Sequence, residues 1–257
     1  MTRRYLLAMV MMGTLVMAVA SSAGAFGVEV AIGGWQQNPS GSIGYKVLDN
    51  EDLLDLEQDL NYADETRLSV RASIDMPLFL PNIYLMGTPM QFSATGQKDE
   101  GFKFGDINFD PGPFYSESVL DNLDVGLYYG IPFLETATFE KLSIDLGINV
   151  RILDYELTVR QEASGLNESE SGVLPIPMVF LAVQFSPIEK LSLEVEGRGI
   201  SYSGNDLYSI IGRVKFNIFG PLFAAGGYRY EKLKLDEDDV AVDIEFSGPF
   251  LEAGVAF

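Results

Sequence analysis

The 257-residue sequence contains neither histidine nor cysteine. Without cysteine, no disulfide can hold the fold and no thiol nucleophile is present. Without histidine, the commonest general base and a common transition-metal ligand are missing. We therefore expect no enzymatic activity, no catalytic residue and no cofactor. We also expect a fold stabilised by core burial, by a closed hydrogen-bonded sheet or by lipid.

Basic residues are scarce as well. The chain has 17 Lys and Arg against 37 Asp and Glu, which gives a formal net charge of -20. A protein that binds the phosphates of nucleic acid needs clustered positive charge. The charge balance therefore argues against nucleic acid as a partner.

Long apolar runs are confined to the N-terminus. Arg3 and Arg4 precede an apolar run from Tyr5 to Ala20, and the small residues of Ala23-Gly24-Ala25 follow it. This arrangement is typical of a secretory signal peptide. We predict a signal peptide over residues 1–25, cleaved after Ala25, and one mature domain over residues 26–257. No later run is long enough for a transmembrane helix.

Most of the remaining sequence alternates between apolar and polar residues. In KLSIDLGINVRIL, residues 141–153, every second residue from Leu142 to Ile152 is apolar. A period of two predicts a β-strand with one apolar face. Similar segments predict ten strands, near residues 27–37, 65–76, 82–95, 120–131, 141–160, 173–186, 191–202, 207–218, 221–234 and 241–257. Eight strands remain possible if the third or sixth segment is a loop, because prolines interrupt both.

The predicted connections alternate in length. Those after the first, third and fifth strands, near 38–64, 97–119 and 161–172, are long and acidic. The intervening connections are short and contain proline or glycine. Long loops at one end and tight turns at the other are typical of transmembrane β-barrels. We predict an all-β, antiparallel, up-and-down transmembrane barrel whose apolar strand faces contact lipid.

The C-terminal segment GPFLEAGVAF ends on Phe257 and places Val255 on the same strand face. It resembles the assembly signal of bacterial outer-membrane barrels, and the mature chain resembles the small single-chain outer-membrane β-barrel families of Gram-negative bacteria. The resemblance implies a monomer in the cell outer membrane that contacts lipid and lipopolysaccharide. It also implies folding by the barrel assembly machinery.

Charged residues on the polar strand faces are predicted to point into the lumen. A narrow barrel satisfies such charges by pairing them, so we predict a salt-bridged plug. An active site of paired carboxylates or a selective pore lining remains an alternative. The predicted network comprises Arg71, Asp75, Asp145, Arg151, Glu194, Glu196, Arg213, Lys215, Arg229 and Asp243.

The first long connection carries the acidic segment DNEDLLDLEQDLNYADE, residues 49–65. Its leucines allow a short amphipathic helix. Its acids are candidate ligands for divalent cations such as Ca²⁺ or Mg²⁺, although the spacing does not fit an EF-hand loop.

These observations predict a non-enzymatic outer-membrane barrel with a structural or surface-interaction role and a mostly plugged lumen. One alternative is a narrow channel for small solutes or apolar molecules. Another is a soluble periplasmic barrel that binds a ligand in its interior. That last alternative requires an apolar interior, which the charged alternating positions do not favour.

Overall fold

The computed structural model describes residues 27–77, 79–237 and 239–257. The predicted signal peptide lies outside the described residues. Within these residues, fourteen strands and one short α-helix, α1 (Leu134–Ala137), follow one another. The strands are β1 (Gly27–Tyr45), β2 (Leu54–Asp55), β3 (Glu65–Asp75), β4 (Asn82–Thr88), β5 (Gln91–Lys98), β6 (Phe102–Phe104), β7 (Ile107–Phe109), β8 (Gly112–Gly130), β9 (Leu142–Gln161), β10 (Leu166–Ile188), β11 (Leu191–Tyr202), β12 (Asn205–Phe219), β13 (Leu222–Glu237) and β14 (Val240–Ala256).

The wall of the barrel is a closed ring of ten antiparallel segments, which we call staves; nine are single strands and the third is the β4–β5 pair. This architecture confirms the predicted fold class. The order is β1, β3, the β4–β5 pair, β8 and then β9 to β14, and β14 pairs back with β1. The third stave is interrupted at Pro89 and Met90, and both of its halves pair with β8. Closure satisfies the backbone donors and acceptors of the staves without an open sheet edge at the seam.

Three predicted connections differ from the structure. Residues 161–172 are not a long loop, because β9 and β10 continue to Gln161 and from Leu166 around a tight turn. The acidic segment 49–65 forms no amphipathic α-helix; it contains a 3₁₀ turn, Asn50–Asp52, and the two-residue strand β2. Residues 97–119 include the small hairpin of β6 and β7. The amphipathic pattern of the leucines reflects burial against the barrel rather than helix.

The lower part of the barrel, towards the short turns, has an apolar outer face. On β9, outward-facing residues from Leu146 to Ile152 are exposed, and Ile148 has 63% of its surface accessible. Outward residues on other strands are also apolar, including Leu127 on β8, Leu181 on β10 and Leu251 on β14. Leu142 to Ile152 matches the roughly 9–11 residues that a tilted strand needs to cross a bilayer. We name this surface the apolar belt.

Above the belt, the polarity of the two strand faces is reversed. On β9 the outward face continues as Asp154, Glu156, Thr158 and Arg160, whereas the inward face changes from Arg151 to Leu153. On β13 the inward Glu231 is followed by the inward Leu233, while Lys232 faces outwards. The upper barrel is therefore built like a water-soluble domain, with an apolar interior and a polar exterior.

Candidate functional site

Charged side chains fill the middle of the barrel in two connected clusters. In the upper cluster, Arg151 on β9 donates hydrogen bonds to Asp124 on β8 from Nε (3.0 Å) and Nη2 (2.8 Å), and it also binds Glu231 on β13. Arg229 binds Glu231, and Arg198 lies 2.7 Å from Asp124. These side chains are all buried. A buried charge is tolerated only when it is paired in this way.

The lower cluster lies closer to the short-turn end. Arg71 lies 2.7 Å from Glu29 and 2.8 Å from Glu252, and Arg213 lies 3.0 Å from Glu252 and 2.7 Å from Glu194. Arg213 also approaches Glu196 at 3.8 Å, and Glu196 binds Arg198 of the upper cluster, so the two clusters are connected. We name the combined set the charge layer. It has equal numbers of bases and acids: Arg71, Arg151, Arg198, Arg213, Lys215 and Arg229 with Glu29, Asp124, Glu194, Glu196, Glu231 and Glu252.

Several of these contacts cross the lumen rather than run along its wall. Arg151 on β9 reaches Glu231 on β13, four staves away, and the Tyr84 hydroxyl on β4 donates to Glu196 on β11 at 2.9 Å, also four staves away. Lys215 on β12 reaches Glu29 on β1 at 2.6 Å. The lumen is narrow enough for side chains from opposite walls to meet. The charge layer therefore spans the barrel from wall to wall.

Most of the lumen residues predicted from the sequence lie inside the barrel, with one correction. Asp75 and Asp145 line the lower cavity without joining the charge layer. Asp243 lies on the outer face above the apolar belt, where Lys232 binds it at 3.2 Å and binds Glu245 at 2.7 Å. Its predicted position was wrong because the strand faces exchange polarity below it, near Gly248.

Sequence reasoning missed four of the six acids of the charge layer and one of its six bases. Glu29, Asp124, Glu231, Glu252 and Arg198 were not singled out, although each lies on the polar face of a strand. The alternation predicts which face of a strand a residue lies on but not its ion-pair partners. Those partners come from opposite walls, which meet only in the closed barrel. The carboxylates Glu194 and Glu196 are both engaged by arginine, which leaves the pair ill-suited to acid and base catalysis.

The charge layer separates two cavities. The lower one, about 710 Å³, has a polar lining that includes Glu29, Asp75 and Lys215 and opens towards the short turns. The upper one, about 320 Å³, has an almost entirely apolar lining that includes Leu120, Leu233 and Phe246. A solute that crosses the lumen would have to pass the charge layer between them.

Two long connections pack together as a cap over the upper end. Leu54, Leu56 and Leu60 of the first connection are buried, as is Phe104 on β6 of the second. Asp52 joins the two connections, because its carboxylate accepts the N–H of Leu48 (2.8 Å) and the N–H of Lys103 (2.6 Å). Burial alone would raise the pKa of Asp52, but these backbone donors lower it below its ordinary value.

The cap should depend on this carboxylate. Asp52→Asn leaves a buried N–H group without an acceptor, which costs about 1–3 kcal/mol. We expect trypsin to cleave after Lys103 about tenfold faster in this variant, in a barrel that otherwise stays folded. Asp106→Asn is the matched control, because Asp106 pairs with Lys46 on the exposed surface of the same cap. Equal cleavage rates in the two variants would contradict the linking role of Asp52.

The lowered pKa of Asp52 also gives the cap a pH dependence. A carboxylate whose pKa is lower in the folded state stabilises that state above its unfolded pKa, and this contribution disappears as the pH falls through the folded value. Proteolytic sensitivity of the cap should therefore rise in acid, below about pH 4, as measured with pepsin. Asp52→Asn should remove most of that rise, and an unchanged rise would assign it to other groups.

The sequence also predicted a candidate divalent-cation site in the acidic loops and an assembly signal at the C-terminus. Among the described residues, no group of three or more acids is arranged to hold a metal ion, so divalent binding by the acidic loops gains no support from their geometry. Phe257 lies at the barrel seam, where its N–H donates to the carbonyl of Val28 at 2.9 Å, and Val255 pairs with Val30. The assembly role of Phe257 and Val255 stays a prediction.

Comparisons with known proteins bear on the fold. The sequence matches no protein-family model and no curated protein. Among solved structures, it is similar to the outer membrane protease OmpT from Escherichia coli, with 9% identity, a TM-score of 0.53, and coverage of 91% of this chain and 97% of that one. The translocator domain of autotransporter NalP from Neisseria meningitidis matches with 10% identity, a TM-score of 0.46, and coverage of 97% and 96%.

These findings define the class of the protein. Similarity to OmpT at 9% identity shows a shared fold and carries no information on activity. The chain has the fold of the single-chain outer-membrane β-barrels, here with ten staves. The fold and the apolar belt agree with the predicted localisation in the cell outer membrane. Among the described residues, no helix is long and apolar enough to span a membrane.

Proposed function

We propose that this protein is a non-enzymatic outer-membrane barrel that is closed to the passage of solutes and displays its capped upper end at the cell surface. Its role is structural or surface-interactive rather than porin-like. The observation that carries the proposal is the charge layer, in which Arg151 connects Asp124 on one wall with Glu231 on the opposite wall. Ion pairs that reach from wall to wall of a narrow lumen obstruct the passage of water and solutes.

The non-enzymatic part rests on the chemistry of the lumen. The chain has no histidine or cysteine, and the carboxylates of the charge layer are each bound by at least one arginine or lysine. A general base needs a free lone pair that can reach a substrate. Carboxylates that are fixed between guanidinium groups are poorly placed for that task.

Conductance in planar bilayers tests the closed lumen. We expect little or no steady current from the unmodified protein, with brief cation-preferring openings at most because the polypeptide is acidic. Replacing both Arg151 and Arg213 by Ala removes one bridge from each cluster and should raise the leak current. Lys232→Ala with Lys234→Ala is the matched control, because both side chains lie on the outward face of β13. Large, stable currents from the unmodified protein would overturn the proposal in favour of a channel.

A further inference from the structure

The upper cavity is an apolar chamber with a defined floor and roof. The charge layer forms its floor, since Arg151 and Glu231 lie one inward position below Leu153 and Leu233. Leu56 of the cap contributes to its roof. A volume of about 320 Å³ is close to the lower end of the range for small-molecule sites. It is about twice the size of an engineered apolar cavity that binds benzene.

The side wall of this chamber is incomplete between β10 and β11. β10 pairs with β9 from Leu166 to Phe185, but its pairing with β11 begins only at Val179. Residues 166–178 of β10 therefore have a strand partner on one side alone. Pro175 and Pro177 lie in this stretch, and proline has no backbone N–H that could donate a hydrogen bond to a second strand. We name the gap between this stretch and the β11–β12 hairpin the side opening.

Exposure of the cavity lining locates its entrance at the side opening. Leu174 on β10 points inwards and lines the cavity, yet 40% of its surface is accessible. Asn205, at the start of β12, also lines the cavity and is partly exposed. On the opposite wall, the lining residues Phe92 and Phe246 are buried. The cavity is thus reached from the side, between β10 and the β11–β12 hairpin.

The side opening begins at the level of the membrane. Val179, where the β10–β11 pairing ends, lies opposite Ile148 in the apolar belt. Pro175 lies opposite Ile152, the last outward apolar residue of β9. The gap therefore starts within the upper half of the apolar belt and extends above it. A molecule dissolved in the outer leaflet can meet the opening without crossing the cap.

The lining selects for uncharged ligands. Leucine, isoleucine, valine and phenylalanine side chains dominate it, and Glu170 is its only ionisable carboxylate, close to the hydroxyl groups of Tyr45 and Tyr155. Moving an unpaired ion from water into such surroundings costs free energy, and Glu170 repels anions. We propose that the upper cavity binds one uncharged, hydrocarbon-like molecule, about twice the size of benzene, which enters from the outer leaflet through the side opening.

Benzophenone is a suitable probe, because it is uncharged, has two phenyl rings and inserts into C–H bonds when irradiated. With the protein in phospholipid vesicles, we expect labelling of inward residues of the cavity, such as Leu174, Leu233 and Leu235, in addition to labelling of the apolar belt. Successive residues of a strand lie on opposite faces of the barrel wall. Tandem mass spectrometry that locates the label at single residues therefore distinguishes labelling of the cavity from labelling of the belt.

Two tryptophan variants test the entrance. Leu174→Trp places a bulky side chain in the side opening, where the exposed position leaves room for it, and should reduce cavity labelling at least fivefold while belt labelling is unchanged. Leu181→Trp is the matched control, because Leu181 lies on the same strand and faces lipid. It should leave cavity labelling intact. Leu233→Trp fills the cavity from within and should act like Leu174→Trp.

Either of two results would overturn the inference. The first is labelling confined to outward residues in the unmodified protein. The second is cavity labelling that neither Leu174→Trp nor Leu233→Trp reduces, in variants that still migrate as folded barrels on unheated gels. Neither result depends on conductance, so the cavity can fail as a binding site while the charge layer remains closed to solutes.

Discussion

Replacing Arg151 by Met should lower the free energy of unfolding by about 3–5 kcal/mol, the cost typical of breaking a buried ion pair. Arg151 is 1% exposed and binds two carboxylates, Asp124 and Glu231. Its removal leaves the charge layer with one more acid than base, in surroundings that water cannot easily reach. Equilibrium unfolding in urea, with the protein refolded into lipid vesicles, measures the difference.

Lys232→Met provides the matched control for Arg151→Met. Lys232 also binds two carboxylates, Asp243 and Glu245, but it does so on the partly exposed outer face above the apolar belt. Surface ion pairs contribute about 0–1 kcal/mol. Adding Asp124→Asn to Arg151→Met should recover part of the loss, because it restores the balance of charge. Similar costs for Arg151→Met and Lys232→Met would show that the charge layer is hydrated.

A second large effect is expected on the outer face of β9. Ile148→Arg places a charge in the middle of the apolar belt and should cost about 2–4 kcal/mol, the range for a basic residue at the bilayer midplane. Thr158→Arg places the same side chain on the same face, above the reversal of polarity, and should cost less than about 1 kcal/mol. Unfolding free energies in vesicles test both.

The two positions differ in depth but not in strand, face or introduced residue. A large cost at Thr158 would therefore move the upper membrane boundary towards the cap. A small cost at Ile148 would mean that the exposed face of β9 does not contact hydrocarbon, and that the apolar belt is not the membrane-spanning surface.

Much of the fold follows from local pattern. Alternation in segments such as Leu142 to Ile152 specifies both the strand and its lipid-facing side, so the ten staves and the barrel class were predictable. The reversal of polarity was also present in the sequence. Apolar residues occupy even positions of β9 up to Ile152 and odd positions from Leu153. Charged strand residues were assigned to the lumen at every height of the barrel, and Asp243, which lies above the reversal, was misplaced for that reason.

Other features depend on the closed structure. Nothing local to Arg151 identifies Glu231 as its partner, because the two lie 80 residues apart and meet only across the lumen. The burial of Leu56 and Leu60 is likewise decided by the barrel beneath them, and the local sequence allowed a helix instead. The side opening is a mismatch between strand lengths, since β11 ends at Tyr202 while β10 starts at Leu166. Strand ends are the least certain part of a pattern-based prediction.

The reversal of polarity also sets the height at which the barrel can sit. A displacement of two residues along the strands corresponds to about 7 Å. Moving down by that amount would bring Asp154, Lys232 and Glu245 towards hydrocarbon on three different strands, and moving up would lift the upper rows of the apolar belt into water. Either displacement costs free energy on many strands of the barrel at the same time. Where the bilayer thickness differs from the belt, the lipid rather than the protein has to adjust, so the local membrane should thin or thicken around this barrel.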